Sequence, residues 1–190
     1  MLKPVFCSVA PQYPSLIKGM QSVRTFSIRI AKPTDAEALS ALLEASYSSL
    51  LAACYDGDLL SHALPHFTKA NPALLVCGTY YVAESEPGNV VGCGGWTTAK
   101  PGGAEITEGE AHIRHFAVHP KWTRQGVGST LLSRCITDSR SIGIRKLHCL
   151  STLYAEHFYR AVGFESVGPI DVQLEVGVTF PAVLMTCEIA

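Results

Sequence analysis

Three groups of residues have types and spacings that suit chemistry. The first is the run Thr123-Arg124-Gln125-Gly126-Val127-Gly128-Ser129, which falls between a predicted strand and a predicted helix. Glycine lets backbone N–H groups approach a ligand with no Cβ in the way. A helix amino end adds unsatisfied donors and the positive end of the dipole, so Arg124 to Ser129 form a candidate pyrophosphate seat. A tight strand-to-helix turn would use the same two glycines. The second group is Glu110 and His112 on one predicted strand, where a second histidine, His115, falls on the opposite face and reads as packing. Histidine titrates near neutral pH and can take a proton from an attacking nucleophile, and Glu110 is the alternative base. The third is Tyr159, a phenol that suits a general acid or, with Ala155, Phe158 and Val162, a core aromatic.

These residues need elements to hold them. Thr25 to Ile30 alternates and reads as a strand. Thr34-Asp35 caps a helix with Ala38, Leu39, Leu42 and Leu43 on one face. A second helical stretch covers about 45–64, ends at Pro65 and has a potential break at Asp56-Gly57-Asp58. Runs 79–84 and 90–96 flank Glu86-Pro87-Gly88-Asn89 and read as a hairpin. Residues 110–118 are a longer strand. There the period of two places Glu110, His112, Arg114, Phe116 and Val118 on one face and His115 on the other. A helix to about Ile142, a strand at 146–151, a helix at 154–162 and strands near 170–177 and 182–189 complete a single-domain α/β chain with a mixed sheet.

Composition sets the outer limits. The chain has 190 residues, 47% hydrophobic and 16% charged, enough for one self-sufficient core. No stretch is long and apolar enough for a transmembrane helix, and a net charge of −1 argues against nucleic acid as a general partner. The seven cysteines are scattered without CxxC spacing, and the histidines show no metal-ligand spacing. Reduced thiols in a cytoplasmic protein with no metal is the reading. Residues 1–25 are proline-containing and free of acids, and read as an extension ahead of a domain spanning 26–190. Residues 35–110 carry ten acids against two bases, and 111–160 carry eight bases against two acids.

Phe116-Ala117-Val118-His119-Pro120, the glycine loop, and Phe158-Tyr159-Arg160-Ala161-Val162-Gly163-Phe164 together resemble the signature of the GCN5-related N-acetyltransferases (GNAT). The order of predicted elements is similar to that fold over 26–190. The resemblance implies acetyl-CoA as co-substrate. Its pyrophosphate would lie on Arg124, Gln125, Gly126, Val127, Gly128 and Ser129, and its pantetheine along the backbone of Phe116, Ala117 and Val118. A backbone N–H near Phe116 would face the thioester oxygen. The family's cofactor-touching Asn is here Thr152, and Thr123 stands where the family usually has Arg or Gln.

The resemblance also makes Tyr159 the acid that protonates the leaving thiolate. It places His112 where arylalkylamine-acetylating members carry a histidine and histone-acetylating members a glutamate. A lysine-like amine with a pKa of ~10.4 must lose a proton before it attacks, which gives His112, or Glu110, its task. The acceptor is read as a primary amine of a small molecule or peptide. Asp56, Asp58, Glu84, Glu86, Glu105, Glu108 and Glu110 fall in segments that build the acceptor pocket in this fold, and acidic walls suit a cation. A homodimer is left open. The rival readings are a non-catalytic acyl-CoA-binding or sensor module of the same fold, and a nucleotide-binding regulatory domain.

Overall fold

The computed structural model describes residues 25–175 and 178–189. The expected extension over residues 1–25 lies, Thr25 apart, outside the described residues, as does Cys7. The described chain forms a seven-stranded sheet: β1 (Ser27–Ile30), β2 (Tyr80–Glu86), β3 (Asn89–Thr97), β4 (Glu110–Val118), β5 (Lys146–Ser151), β6 (Glu165–Glu175) and β7 (Val178–Glu188). The spatial order is β1-β2-β3-β4-β5-β7-β6. Among these strands only the β4–β5 pair is parallel.

Helices cover both faces. On one face lie α1 (Ala36–Leu50), α2 (Gly57–Phe67) and α3 (Pro72–Val76), with α1 and α3 packing Leu39, Leu42, Leu43, Leu74 and Leu75 against Tyr80, Val82, Cys93 and Ala117. On the other face α4 (Val127–Ser141) buries Val127, Leu131, Leu132 and Cys135 against Tyr81, Trp96, Ala111, Ile113 and Leu147. The short α5 (Glu156–Arg160) adds Tyr159 to this second core. A third cluster joins α2 to β7 through Leu51, Tyr55, Leu60, Ala63 and Phe180.

The structure departs from the expected elements at several places. Asp56 accepts from the Asp58 N–H and starts α2, so the break at 56–58 is real. Pro65 does not end that helix. It sits in the last turn, where only one backbone bond is lost, and the helix runs on to Phe67. Asn71 caps α3, a short helix that the sequence pattern does not announce. The last two strands begin earlier than expected, at Glu165 and Val178, and together form one long hairpin.

Two irregularities of β4 open space beside it. Its parallel pairing with β5 spans only Glu110–Lys146, Ala111–Leu147 and His112–His148, although both strands continue. Beyond His112 the strands diverge and open a slot. On the other edge β4 pairs with β3, but Cys93 faces Ala117 and Gly95 faces Arg114, so β4 holds one extra residue. That residue is a bulge at His115, where φ is +43°.

Candidate active site

The bulge corrects the face expected for β4. A strict period of two would put His112, Arg114, Phe116 and Val118 together. The inserted residue shifts the register by one, as any single slip must. Ala111, Ile113, Phe116 and Val118 now share the α4 face, while Ala117 is on the α1 face. Alternation from Ala111 and Ile113 puts Glu110, His112 and Arg114 on the α1 face as well. Phe116 closes over Gly94, where an added Cβ would meet its ring at 2.5 Å, so the glycine is required by that packing. Two tyrosines hold the distorted backbone. The Tyr80 hydroxyl donates to the His115 carbonyl at 2.9 Å and the Tyr47 hydroxyl to the Phe116 carbonyl at 3.2 Å. Burial raises both phenol pKa values, so both remain donors.

The slot between β4 and β5 leads into a cavity of about 190 Å³. Phe116, Thr152 and Tyr159 all line it. Tyr159 is 4% exposed and meets Phe116 edge-on, with ring centroids 6.2 Å apart. Burial raises its phenol pKa well above the usual value, and the neighbouring Cys149 thiol acts in the same direction. Such a phenol is protonated at neutral pH and suited to give a proton rather than take one. Thr152 lies at the carboxyl end of β5, where its hydroxyl accepts from the Ala155 N–H and fixes the turn into α5. The far wall is apolar: Tyr47, Leu51, Phe67 and Phe180. Tyr55 stacks on Phe180 at 4.4 Å, and its hydroxyl bridges the Pro181 carbonyl and the Leu153 N–H. The wall is thereby tied to both β7 and the loop before α5.

The glycine loop adjoins this slot. Gly126 has a φ of +83° and caps α4, with Arg124 also left-handed at +61°. The first helical bond runs from the Thr130 N–H to the Gly126 carbonyl. The N–H groups of Val127, Gly128 and Ser129 therefore have no partner within the helix. A Cβ built on Gly126 meets nothing within 4 Å, so open space lies beside the donors. One on Gly128 would touch the Phe158 ring at 3.3 Å and Val118 at 3.6 Å, which places the loop against the end of β4 and against α5. Gln125 turns its amide back to the Lys121 carbonyl, at 2.7 Å. The residues thus fit a pyrophosphate held by backbone donors. Coenzyme A would lie with its phosphates on this helix end, its thioester end directed toward Tyr159.

The two base candidates from sequence lie elsewhere. Neither His112 nor Glu110 lines the cavity. His112 is 8% exposed and stacks on His148, with centroids 5.1 Å apart, and the His148 Nε2 sits 2.8 Å from a Glu110 carboxylate oxygen. Burial, followed by the charges of His148, Lys100 and Arg114, pushes the His112 pKa down to about 4. His115, expected to face away as packing, is at the bulge and is among the residues that line the cavity. Its pKa also falls to about 4, through burial and then Arg114, and its buried Nδ1 has no hydrogen-bond partner. Only a strand periodicity broken by the bulge could have shown this, and nothing in His-Phe-Ala-Val marks a bulge.

The expected acidic walls are absent from this cavity. None of Asp56, Asp58, Glu84, Glu86, Glu105, Glu108 and Glu110 lines it. Glu84, with Asp35, is held by the Arg29 guanidinium, and Glu105 pairs with Lys100. Among the described residues no group of three His, Cys, Asp or Glu is placed to hold a metal ion. No described helix is long and apolar enough to cross a membrane.

Residues 77–166 match the family model of the acetyltransferase (GNAT) domain. No curated protein sequence matches the chain. Among solved structures, a GCN5-related N-acetyltransferase from Rhodopseudomonas palustris aligns over 90% of this chain and 99% of its own, at 21% identity and a TM-score of 0.68. The PaiA N-acetyltransferase of Thermoplasma acidophilum, in complex with coenzyme A, aligns over 86% and 99%, at 16% identity and a TM-score of 0.65. N-acetylglutamate synthase from Neisseria gonorrhoeae, complexed with coenzyme A and N-acetyl-glutamate, aligns over 87% of this chain and 35% of its own, at 20% identity and a TM-score of 0.56. At these identities the likeness is one of fold. Motifs, matched domain and fold agree: residues 77–166 match the GNAT domain, and the chain has the fold of the GCN5-related N-acetyltransferases.

Proposed function

We propose that the protein is an acetyl-CoA-dependent N-acetyltransferase that acts on a primary amine of a small molecule or peptide by direct attack within a ternary complex. The observation that carries this reading is the convergence of Tyr159, Phe116 and Thr152 on one cavity at the β4–β5 slot, with the α4 donor loop packed at Gly128 against the end of β4 and α5. Acetyl-CoA, when bound, supplies the acetyl group as a thioester. The α4 amino end holds its phosphates, and the β4 edge beside Phe116 offers backbone donors to the thioester oxygen. The amine nitrogen bonds to the carbonyl carbon as the carbon–sulfur bond breaks. Tyr159 gives its hydroxyl proton to the departing sulfur, and the proton lost by nitrogen restores the balance through the site's base.

We assign that base to His115, the one histidine among the residues that line the cavity, ahead of His112 and Glu110. An imidazole with a pKa of about 4 cannot draw a proton from a free ammonium of pKa ~10.4, a gap of roughly 9 kcal/mol. The amine therefore enters neutral, and the imidazole receives its proton only once nitrogen has bonded to carbon and become acidic. The apparent pKa near 6.5 that an unburied histidine would give is accordingly replaced by a rate that climbs toward the amine's own pKa.

The test is a primary-amine library with acetyl-CoA, reading free thiol and N-acetylated product by mass. Product formation with at least one amine supports the reading. Stabilisation by CoA thioesters with no product from any amine would replace it with the acyl-CoA-binding module.

A further inference from the structure

We infer that the acceptor carries a carboxylate beside its amine and an apolar body, and that Arg114 is the residue that reads the carboxylate. This rests on the acetyl-transfer reading of the same site. Arg114 lies on β4 next to the bulge and lines the cavity that holds Tyr159. It also lines a second cavity, of about 400 Å³, together with Asn71, Thr97, Lys100, Gly102 and Gly103. Among the described residues no carboxylate lines either cavity.

The guanidinium is half-buried and has no acidic partner among the described residues. Arg29 pairs with Asp35 and Glu84, Arg134 with Asp138, Arg160 with Glu156, and Lys100 with Glu105. Arg114 instead donates from Nη1 to Thr97 Oγ1, at 2.8 Å, and the Thr97 hydroxyl in turn donates to the Ala99 carbonyl at 2.8 Å. That bond holds Nη1, and Nε and Nη2 make no hydrogen bond among the described residues. The nearest titratable groups on its strand, His112 and His115, are neutral at pH 7, so nothing local offsets the charge. Burying a cation without a counter-charge costs stability, and a fixed planar fork matches a carboxylate through two parallel bonds. The rest of the first cavity, Tyr47, Leu51, Phe67 and Phe180, offers no further charge and suits an aliphatic or aromatic body. An amine bearing both groups is an apolar amino acid or a close analogue.

The test separates this seat from acetyl transfer. Binding of 3-phenylpropionate, which has the ring and the carboxylate but no amine, is measured calorimetrically on the full chain saturated with CoA. Its neutral counterpart is 3-phenylpropanol. We expect wild type to prefer the acid by about tenfold or more, Arg114→Gln to lose that preference, and Arg114→Lys to keep part of it, with CoA affinity unchanged in both variants. In turnover, wild type should favour phenylalanine over phenethylamine in kcat/KM, and Arg114→Gln should reduce the ratio by about tenfold or more. Equal binding of acid and alcohol to wild type, or an unaltered preference in Arg114→Gln, overturns the seat. So does a loss of CoA affinity in Arg114→Gln, which would assign the guanidinium to the cofactor's phosphates. Arg114-dependent acid binding with no product from any amine keeps the seat and removes acetyl transfer. Turnover without any dependence on Arg114 does the reverse.

Discussion

At the carboxyl end of β4 the free polar groups belong to the backbone. Val118 leads into the loop whose donors are the N–H groups of Val127, Gly128 and Ser129, and side chains there mostly tie the loop to itself, as Gln125 does to Lys121. At the amino end the polar groups are side chains: Glu110, His112 and Arg114 on one face, with Arg114 and His115 among the residues that line the cavity. One inserted residue separates the two ends. A backbone seat depends on where glycines allow a turn and a helix starts. A side-chain site depends on which face each residue takes, and a single bulge inverts that. The two ends therefore differ in what would disable them, and substitutions at each should read out differently.

The largest effect is expected where the two ends meet. Tyr159→Phe keeps the ring that packs on Phe116, Phe158 and Phe164 and removes the proton donor. Turnover should fall about 10- to 1,000-fold with little change in acetyl-CoA affinity. Stopped-flow or single-turnover assays give the number. A chemical step as fast as wild type would reduce Tyr159 to a packing residue.

At the backbone end, Gly126→Val should abolish most of the rise in Tm produced by acetyl-CoA, because a branched side chain would fill the open space beside the donors. The unliganded variant should also be weaker by about 1–2 kcal/mol, since φ is +83° there and an L-residue is strained. Comparing liganded with unliganded melting separates the two. A full ligand shift in the variant would move the pyrophosphate off this helix end.

At the side-chain end the histidines should differ. His115→Gln should lower kcat/KM at pH 7 by about tenfold or more, while His112→Gln and Glu110→Gln should change it by less than about threefold. The wild-type profile should show no limb near a pKa of about 6.5, only the rise set by free amine. A limb in that range that vanishes in His112→Gln alone would return the base to His112.

The same contrast explains what could be read in advance. Strands 110–118 and 146–151 were legible to the residue, because each is an apolar-rich run closed by turn or helix signals. The turn at Gly126 that starts α4 and the placement of Tyr159 on α5 followed from local motifs. The face of His112, the exposure of His115 to the cavity and the absence of acidic walls did not. They depend on a bulge held by Tyr80 and Tyr47, which lie 35 and 69 residues away from their carbonyl partners. The family resemblance placed seven acids in pocket-building segments, but a segment's charge cannot tell a wall from a solvated edge. Pro65 misled for the reverse reason, since proline in a last turn costs too little to stop a helix.

The smallest effect is one of stability, and it tests the side-chain end without any substrate. His112 and His115 have folded pKa values near 4 against about 6.5 unfolded. A histidine whose folded value is depressed is bound to fewer protons in the native state between those values, so the unfolded chain gains protons first as pH drops. Stability should therefore be full above about pH 7, fall as pH goes from about 6.5 toward 4, and level off below. At its steepest each histidine contributes about 1.4 kcal/mol per pH unit. Asp35 and Glu84 have lowered values through Arg29 and lose their contribution only in the carboxylate range, so measurements between about pH 7 and 5 isolate the imidazoles. Urea unfolding across that interval should show a clear decline in wild type. His112→Phe keeps a ring to stack on His148 and should flatten the decline by the share of one histidine. The groups facing His112 — His148, Lys100, Arg114 and Glu110 — remain in place in the variant. An identical slope in wild type and variant would mean that His112 titrates as if exposed. That would reopen its claim on the proton that His115 is assigned here.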